Sequence, residues 1–390
     1  MKVLFLNYEY PPLGGGASVA TEAILREWAA DPGMEVHLIT SAVGTVAEEI
    51  RIGAGVYIHR LPIGKCPDQL HSQSLRDILV YSLKASFFLW RFIRLESKRQ
   101  PFDVTLAFFA VPCGFLAYLV KLIYGIPYVV SLRGADVPGF SEKYNTFYVF
   151  AKPLVRFLWH HAAAVIPNSA GLTDLAKKTD PRQPMQTIEN GVDTVTFHPD
   201  LEKRSTKRTI FLSTSRLTPR KGIHHLIEAF ALALGKATKP IELHLIGEGE
   251  QKLILEERVR ALGITENVKF IGRVEHEVLA GYYRRADVFV LPSKNEGMSN
   301  SALEALASGL PLLVSGTGGM RELVTDGVNG YFIEPDQPAT FAEKIVALAD
   351  QPEVRVAFGT ESRHRAEARS WNQVARTFQS VLEESGRNLP

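Results

Sequence analysis

Short runs of consecutive apolar residues, each stopped by a polar or glycine-bearing turn and followed by a helix-forming segment, recur along this chain and restrict its fold more than any other feature. The clearest unit runs from Asp287 to Gly319. Val288, Phe289, Val290 and Leu291 are apolar without alternation and Pro292 stops them, as expected of a parallel strand covered on both faces. A polar turn over 293–298 leads to Ser299, Asn300 and Ser301, which offer cap oxygens to a helix over Ala302–Ala307. Gly309, Leu310 and Pro311 end that helix, and Leu312–Val314 begins the next strand.

The same rhythm predicts strands at 2–7, with a helix over 17–30, and at 36–40, 56–61, 104–107, 127–132, 163–167 and 185–188. It resumes at 209–214, with a helix over 223–234, and at 243–246 and 268–271. Strands alternating with helices imply an α/β chain of mostly parallel, doubly wound sheets, whose ligands sit beyond the carboxyl ends of the strands. A length of 390 residues implies two domains. Turn residues from Asn190 to Pro199 and a charged segment over 200–208 mark the hinge.

Composition narrows the function. A net charge of +2 argues against nucleic acid as the main partner. Cys66 and Cys113 lie far apart with no metal-ligand spacing around them, so the expectation is two reduced thiols in a cytoplasmic protein, with no zinc site and no disulfide framework. Val3–Leu6 is too short for a signal peptide, and the apolar stretch 104–120 is broken by Pro112 and Gly114 into a strand and a buried helix.

Four strand exits carry chemistry. Glu296 in the turn and Glu304 on the helix frame a helix N-terminus, where unpaired N–H groups favour oxyanions and carboxylates can accept paired hydroxyls. A capped surface helix with two solvated glutamates is the plainer alternative. Arg216 and Lys221 follow the strand at 209–214, where a guanidinium and an ammonium could share a diphosphate, or equally form a solvated basic turn. Gly247 and Gly249 leave one neighbouring strand, and Gly272, Arg273 and Val274 leave another. In the first half, Gly14, Gly15 and Gly16 precede a helix; they are not the dinucleotide G-x-G-x-x-G pattern, and a flexible loop is the alternative. Asn7, Arg133 with Asp136, and Asn168 with Ser169 lie at other strand exits.

Residues 74–100 break the rhythm. Leu75, Ile78, Leu79, Phe87, Phe88, Trp90, Phe92 and Ile93 mingle there with Arg76, Lys84, Arg91, Arg94, Lys98 and Arg99, against only Asp77 and Glu96. Such a basic amphipathic helix suits an anionic membrane surface, or packs on the core with a solvated basic face. Residues 144–161 carry the same ambiguity.

Taken together, Glu296 to Glu304 within NEGMSNSALEALASG, Arg216 and Lys221 within SRLTPRKG, the triple glycine, and Glu189–Asp193 resemble the retaining glycosyltransferases of family 4, the group 1 glycosyl transferases. The resemblance covers nearly the whole chain. It implies the GT-B fold, two Rossmann-like domains facing across a cleft: an acceptor-side domain over 1–195 plus about 366–390, and a nucleotide-sugar domain over 196–365. The tail, expected as one helix over 361–384, would cross back to the first domain, and the two would close on the donor by rotation about crossovers near 195 and 365. Carried over, Arg216 and Lys221 would bind the diphosphate, Glu304 the ribose, and Glu296 the donor sugar with N–H groups of Gly297, Met298 and Ser299. Arg273 and Val274 would line the base, and Gly15 and Gly16 would approach the phosphates. Many members carry His-Gly-x-Asp where this chain reads Arg133-Gly134-Ala135-Asp136; an arginine there cannot act as a base near neutral pH but could hold a phosphate or the sugar's 6-position.

The implied function is transfer of a sugar from a UDP- or GDP-sugar to a lipid-linked, polysaccharide or other glycan acceptor, as in lipopolysaccharide or glycolipid synthesis, by a cytoplasmic or peripheral membrane enzyme. No cofactor is expected, and the absence of an Asp-x-Asp pattern argues against a required metal. The alternatives are a GT-B-shaped sugar-nucleotide epimerase and a sugar-nucleotide-binding protein with weak or no turnover.

Overall fold

The computed structural model describes all residues except 66–69, 71–73, 141–144, 205–206 and 388–390. Cys66 and Tyr144 therefore lie outside the described residues. Contacts divide the chain into one unit of Met1–Asn190 with Trp371–Pro390, and a second of Gly191–Ser370.

In the first unit the order is β1 (Lys2–Leu6), α1 (Gly16–Ala29), β2 (Glu35–Val43), β3 (Glu48–Ile52), β4 (Val56–Lys65), α2 (Leu75–Glu96), β5 (Val104–Phe108), α3 (Phe115–Tyr124), β6 (Tyr128–Leu132), α4 (Asn145–His161), β7 (Ala164–Pro167) and α5 (Ala170–Thr179). The strands lie as β3-β4-β2-β1-β5-β6-β7, parallel except for β3, which pairs antiparallel with β4. Every residue of β1, β5 and β6 is buried, which is why these strands are apolar apart from Lys2, Thr105 and Ser131. The chain returns from the far end of the sequence to complete this unit. α13 (Trp371–Arg387) packs on α1, Trp28 Nε1 donates to the Ala375 carbonyl (3.1 Å), and Phe378 joins the core beside Phe108.

The second unit holds β8 (Thr209–Thr214), α6 (Ile223–Leu234), β9 (Ile241–Ile246), α7 (Lys252–Ala261), β10 (Val268–Gly272), α8 (His276–Arg285), β11 (Val288–Leu291), α9 (Asn300–Ala307), β12 (Leu312–Ser315), α10 (Met320–Leu323), β13 (Gly330–Ile333), α11 (Pro338–Asp350) and α12 (Pro352–Glu367). Its strands order as β10-β9-β8-β11-β12-β13, all parallel. Both units are thus doubly wound α/β sheets.

Three expectations need correcting. Residues 185–188 are not a strand. Gln186 N and Ile188 N donate to the Val165 and Pro167 carbonyls of β7 (3.1 and 3.0 Å), but Pro167 has no N–H to return, so the ladder cannot close. The tail is two helices, because Val192 bridges Ser370 and its N–H donates to the Arg369 carbonyl (2.8 Å), holding the chain out of helical form between α12 and α13. Strands β3 and β13 had no counterpart in the sequence reading.

The segment at 74–100 packs on the core along one face. Ser74 and Asp77 form a capping box, and Tyr81, Ala85, Leu89 and Ile93, spaced by four, are buried against the core. A second apolar row, Leu75, Leu79, Leu83, Phe87 and Trp90, stays exposed. Among the described residues no helix is long and apolar enough to cross a membrane.

Candidate active site

The turn after β11 is held in place by two close backbone crossings. Gly222, at φ 66°, sits where a Cβ would come within 2.2 Å of the Pro292 carbonyl oxygen; only glycine lets the start of α6 press against the exit of β11. The turn is then zipped to residues 219–222. Lys294 N donates to the Arg220 carbonyl (2.9 Å) and Arg220 Nη1 donates to the Asn295 carbonyl (3.1 Å). From the other side Gly318, at φ 52°, places its Cα where a Cβ would fall 1.7 Å from the Glu296 carbonyl oxygen, and Gly319 N donates to the Gly297 carbonyl (2.9 Å).

This clamping brings Lys221 Nζ into direct ionic contact with Glu296 Oε1. Both residues are buried, at 9% and 7% exposure, so the pair interacts with little screening. Burial alone would raise the Glu296 carboxyl, but the Lys221 ammonium and the Arg220 guanidinium hold it below its ordinary value, and the group is a carboxylate. Arg216 lies exposed at the exit of β8, near enough that it and Arg220 both repel the Lys221 ammonium. Lys221 and Arg220 thus act on one anion, with Arg216 beside Lys221.

Ser299 caps α9, its Oγ accepting from Ala302 N at 3.3 Å. Met298 turns its side chain into the core, which leaves the backbone of Gly297, Met298 and Ser299 to line the turn. One turn into α9, Glu304 is buried, and its Oε2 accepts from Tyr283 Oη at 2.9 Å. Burial raises the Glu304 carboxyl to about 7 even though the phenol donates to it. Tyr283 Oη is also within hydrogen-bonding distance of Thr214 Oγ1 (2.5 Å) and of the Ser301 carbonyl (3.1 Å), tying α8, β8 and α9 together. Arg273 is exposed after β10 with Glu275 3.9 Å away, and Val274 is half-buried against the core. The expected donor groups of the second unit therefore share the carboxyl edge of one sheet. Tyr283 and Arg220 were missed by the sequence reading, since nothing in their spacing ties them to the glutamates.

In the first unit Gly15 and Gly16 open α1. A Cβ on Gly15 would meet nothing within 4 Å, and Gly15 N donates to Glu9 Oε2 (3.3 Å) at the start of this helix, beyond the exit of β1. Asp136, grouped with the catalytic residues by its motif, is occupied otherwise. Its Oδ1 accepts from Arg133 N (2.9 Å) and Gly134 N (3.0 Å) and its Oδ2 from Ala110 N (2.9 Å), so it holds the loop after β6 to the loop after β5. The Arg133 guanidinium stacks 3.5 Å from the Phe108 ring centroid, and Nη1 donates to Asn190 Oδ1 (2.9 Å).

Elsewhere in this unit, Glu35, His37 and Glu96 set ligand atoms within 4.8 Å of one another. Lys2 Nζ already bridges both carboxylates (2.8 and 3.0 Å), so a cation occupies the place a metal would take. Cys113 is a buried free thiol.

Comparison with known proteins agrees with this architecture. The family described as glycosyl transferases group 1 matches residues 196–365, and the glycosyl transferase 4-like domain matches 15–191. The chain belongs to the group 1, family 4-type glycosyltransferases. It is similar to N-acetyl-alpha-D-glucosaminyl L-malate synthase of Bacillus anthracis, 25% identical over 91% of this chain and 89% of the relative. The fold is shared with sucrose-phosphate synthase of Thermosynechococcus elongatus (TM-score 0.83, 20% identical, 98% of each chain). It is also shared with Anabaena HepE solved with UDP-glucose (TM-score 0.76, 20% identical, 98% of this chain and 100% of that one). The protein is a glycosyltransferase of GT-B type.

Proposed function

We propose that the chain transfers a hexose-like unit from a UDP- or GDP-sugar to a lipid-linked, polysaccharide or other glycan acceptor, with retention at the anomeric carbon and without a metal. The observation that carries this reading is the buried Lys221–Glu296 pair at the mouth of a capped helix, with Arg216 beside it and Glu304 one turn in. The two carboxylates accept hydroxyl hydrogens, Glu296 from the sugar and Glu304 from the ribose. As the glycosidic bond breaks, charge grows on the diphosphate, where Arg216, Lys221 and the α9 N-terminus can stabilise it. A diphosphate oxygen on the leaving face then takes the acceptor's proton, which delivers the acceptor to that same face and dispenses with a side-chain base. HepE, which shares the fold, was solved with UDP-glucose, in keeping with a nucleotide-sugar donor.

Thermal-shift screening against UDP- and GDP-sugars identifies the donor, since a ligand that binds only the folded state raises Tm with its saturation. Turnover of that donor is then followed with and without acceptor, in EDTA, and the product anomer is assigned by NMR. Retention and EDTA resistance support the mechanism; turnover without acceptor to an isomeric sugar nucleotide would point to an epimerase, and binding with no turnover to a sensor.

The acceptor side rests on α2. Its exposed row Leu75, Leu79, Leu83, Phe87 and Trp90 runs beside Arg76, Lys84, Arg91 and Arg94, and a shallow apolar cavity of about 650 Å³ opens between α2 and Leu61. An anionic membrane surface matches both the apolar row and the charge, and would place the enzyme at the cytoplasmic face beside a lipid-linked acceptor. Flotation with anionic liposomes at low salt should retain the wild type and lose Leu79→Glu/Phe87→Glu. Equal flotation of both proteins would remove this part of the reading.

A further inference from the structure

Arg133 is a buried cation without an anion. Its Nη1 has one neutral partner, Asn190 Oδ1, while Nε and Nη2 are buried with no hydrogen-bond partner. Its charge rests on the face of Phe108 at 3.5 Å, with Phe378 at 5.7 Å, and both are neutral rings. The carboxylate nearest in sequence, Asp136, spends its oxygens on three backbone N–H groups. Burial pushes the guanidinium down to about 9, and Asp136 only partly offsets this.

The two orphaned nitrogens are not scattered. Covalent geometry puts the Nε and Nη2 hydrogens on one edge of the planar guanidinium, the edge that takes both oxygens of a carboxylate or phosphate in parallel. Arg133 directly follows β6, and Gly15 opens α1 after β1 of the same sheet, so both stand at the carboxyl edge where parallel sheets take ligands. A buried polar group left unpaired is unfavourable, and such groups in native proteins call for a ligand or a functional reason.

We infer that the Nε/Nη2 edge of Arg133 receives an oxyanion, a carboxylate or phosphate, carried by a sugar substrate, and that this enzyme therefore selects an acidic sugar over its neutral counterpart. The inference rests on the proposed sugar transfer for the identity of the ligand, and on the orphaned fork for its charge. Phe108 holds the guanidinium plane, Asn190 fixes the opposite side, and Asp136 holds the loop, so each acts as a positioning residue for Arg133.

Matched pairs test it by calorimetry. UDP-glucuronate against UDP-glucose probes the donor, while glucose 6-phosphate and glucuronate against glucose, with and without UDP, probe the acceptor. Wild type should bind the acidic member of at least one pair tenfold or more tighter. Arg133→Met should abolish that preference with the Kd for UDP itself unchanged within twofold, and Arg133→Lys, which keeps the charge but not the fork, should lose most of it. In anion-free buffer Arg133→Met should melt close to wild type, because the unpaired charge it removes offsets the Asn190 bond and the Phe108 contact it loses. Equal affinity for both members of every pair, or a preference that survives Arg133→Met, would overturn the inference. Wild type that binds neither UDP nor GDP would instead overturn the proposed donor, while the nucleotide-free sugar pairs would still judge Arg133.

Discussion

Lys221 and Arg133 are both buried cations at the carboxyl edge of a doubly wound sheet, and they are kept in opposite ways. Lys221 has its own carboxylate in contact; Arg133 has two aromatic faces, one amide and an empty edge. In the second unit the charge is satisfied at rest, so removing either partner strands the other. In the first unit the loss of the cation takes a donor from the Asn190 amide oxygen but breaks no ion pair. Stability should therefore reside in the paired site and selectivity in the unpaired one.

The sharpest way to break that contrast is Lys221→Ala. It leaves the Glu296 carboxylate buried without its cation and should destabilise the protein by about 3–5 kcal/mol in urea denaturation. The double variant Lys221→Met/Glu296→Leu should recover most of this loss. If Lys221→Ala unfolds at the wild-type urea concentration, the two sites do not differ as argued.

Glu296→Gln keeps shape but removes the anion proposed to receive the sugar. It should lower kcat/KM by about 100-fold, with UDP affinity nearly unchanged.

Glu304 offers a milder test. Its carboxyl lies at about 7, raised above the unfolded value, so it is largely neutral at pH 6 and must lose a proton before accepting two hydroxyls. UDP affinity should accordingly rise with pH, by up to about tenfold between pH 6 and 8, with proton release in calorimetry. Tyr283→Phe removes a donor that favours the ionised form and should move the rise to higher pH. An affinity flat across this window in both proteins would remove Glu304 from the binding site.

The smallest effect belongs to Ser299→Ala, which deletes the α9 cap and should lower stability by about 1 kcal/mol, read from the shift in urea midpoint.

What the sequence discloses follows the range of the interactions involved. The strands of both sheets are legible because a parallel strand covered on both faces is apolar at every position, as in Val3–Leu6 and Val288–Leu291. The helix after the Glu296 turn is legible because its cap and stop are local: Ser299 before it, Gly309 after it. Strands β3 and β13 are not: Glu48–Ile52 lies at one sheet edge with most of its residues exposed, and Gly330–Ile333 lies at the edge of the other sheet with only Gly330 and Ile333 buried. The break before Trp371 also escapes, because its cause is a hydrogen bond from Val192, far away in the chain. The same holds for side-chain duties. Glu296 and Glu304 stand out by spacing, but the phenol that serves Glu304 comes from α8, and the task of Asp136 depends on Ala110 in another loop. Arg133 is visible as a departure from a motif, whereas its orphaned edge emerges only when Phe108 and Asn190 are folded around it.

The last helix carries a consequence for biosynthesis. Residues 191–370 are contiguous, so the second unit can finish folding as soon as it leaves the ribosome. The first unit cannot. Until α13 emerges, Trp28 lacks its acceptor and Phe108 lacks Phe378 as a neighbour, so the portion translated earliest is the one whose core closes last. A nascent chain stalled before residue 371 would hold a completed second unit behind an unfinished first one, a form suited to chaperone capture.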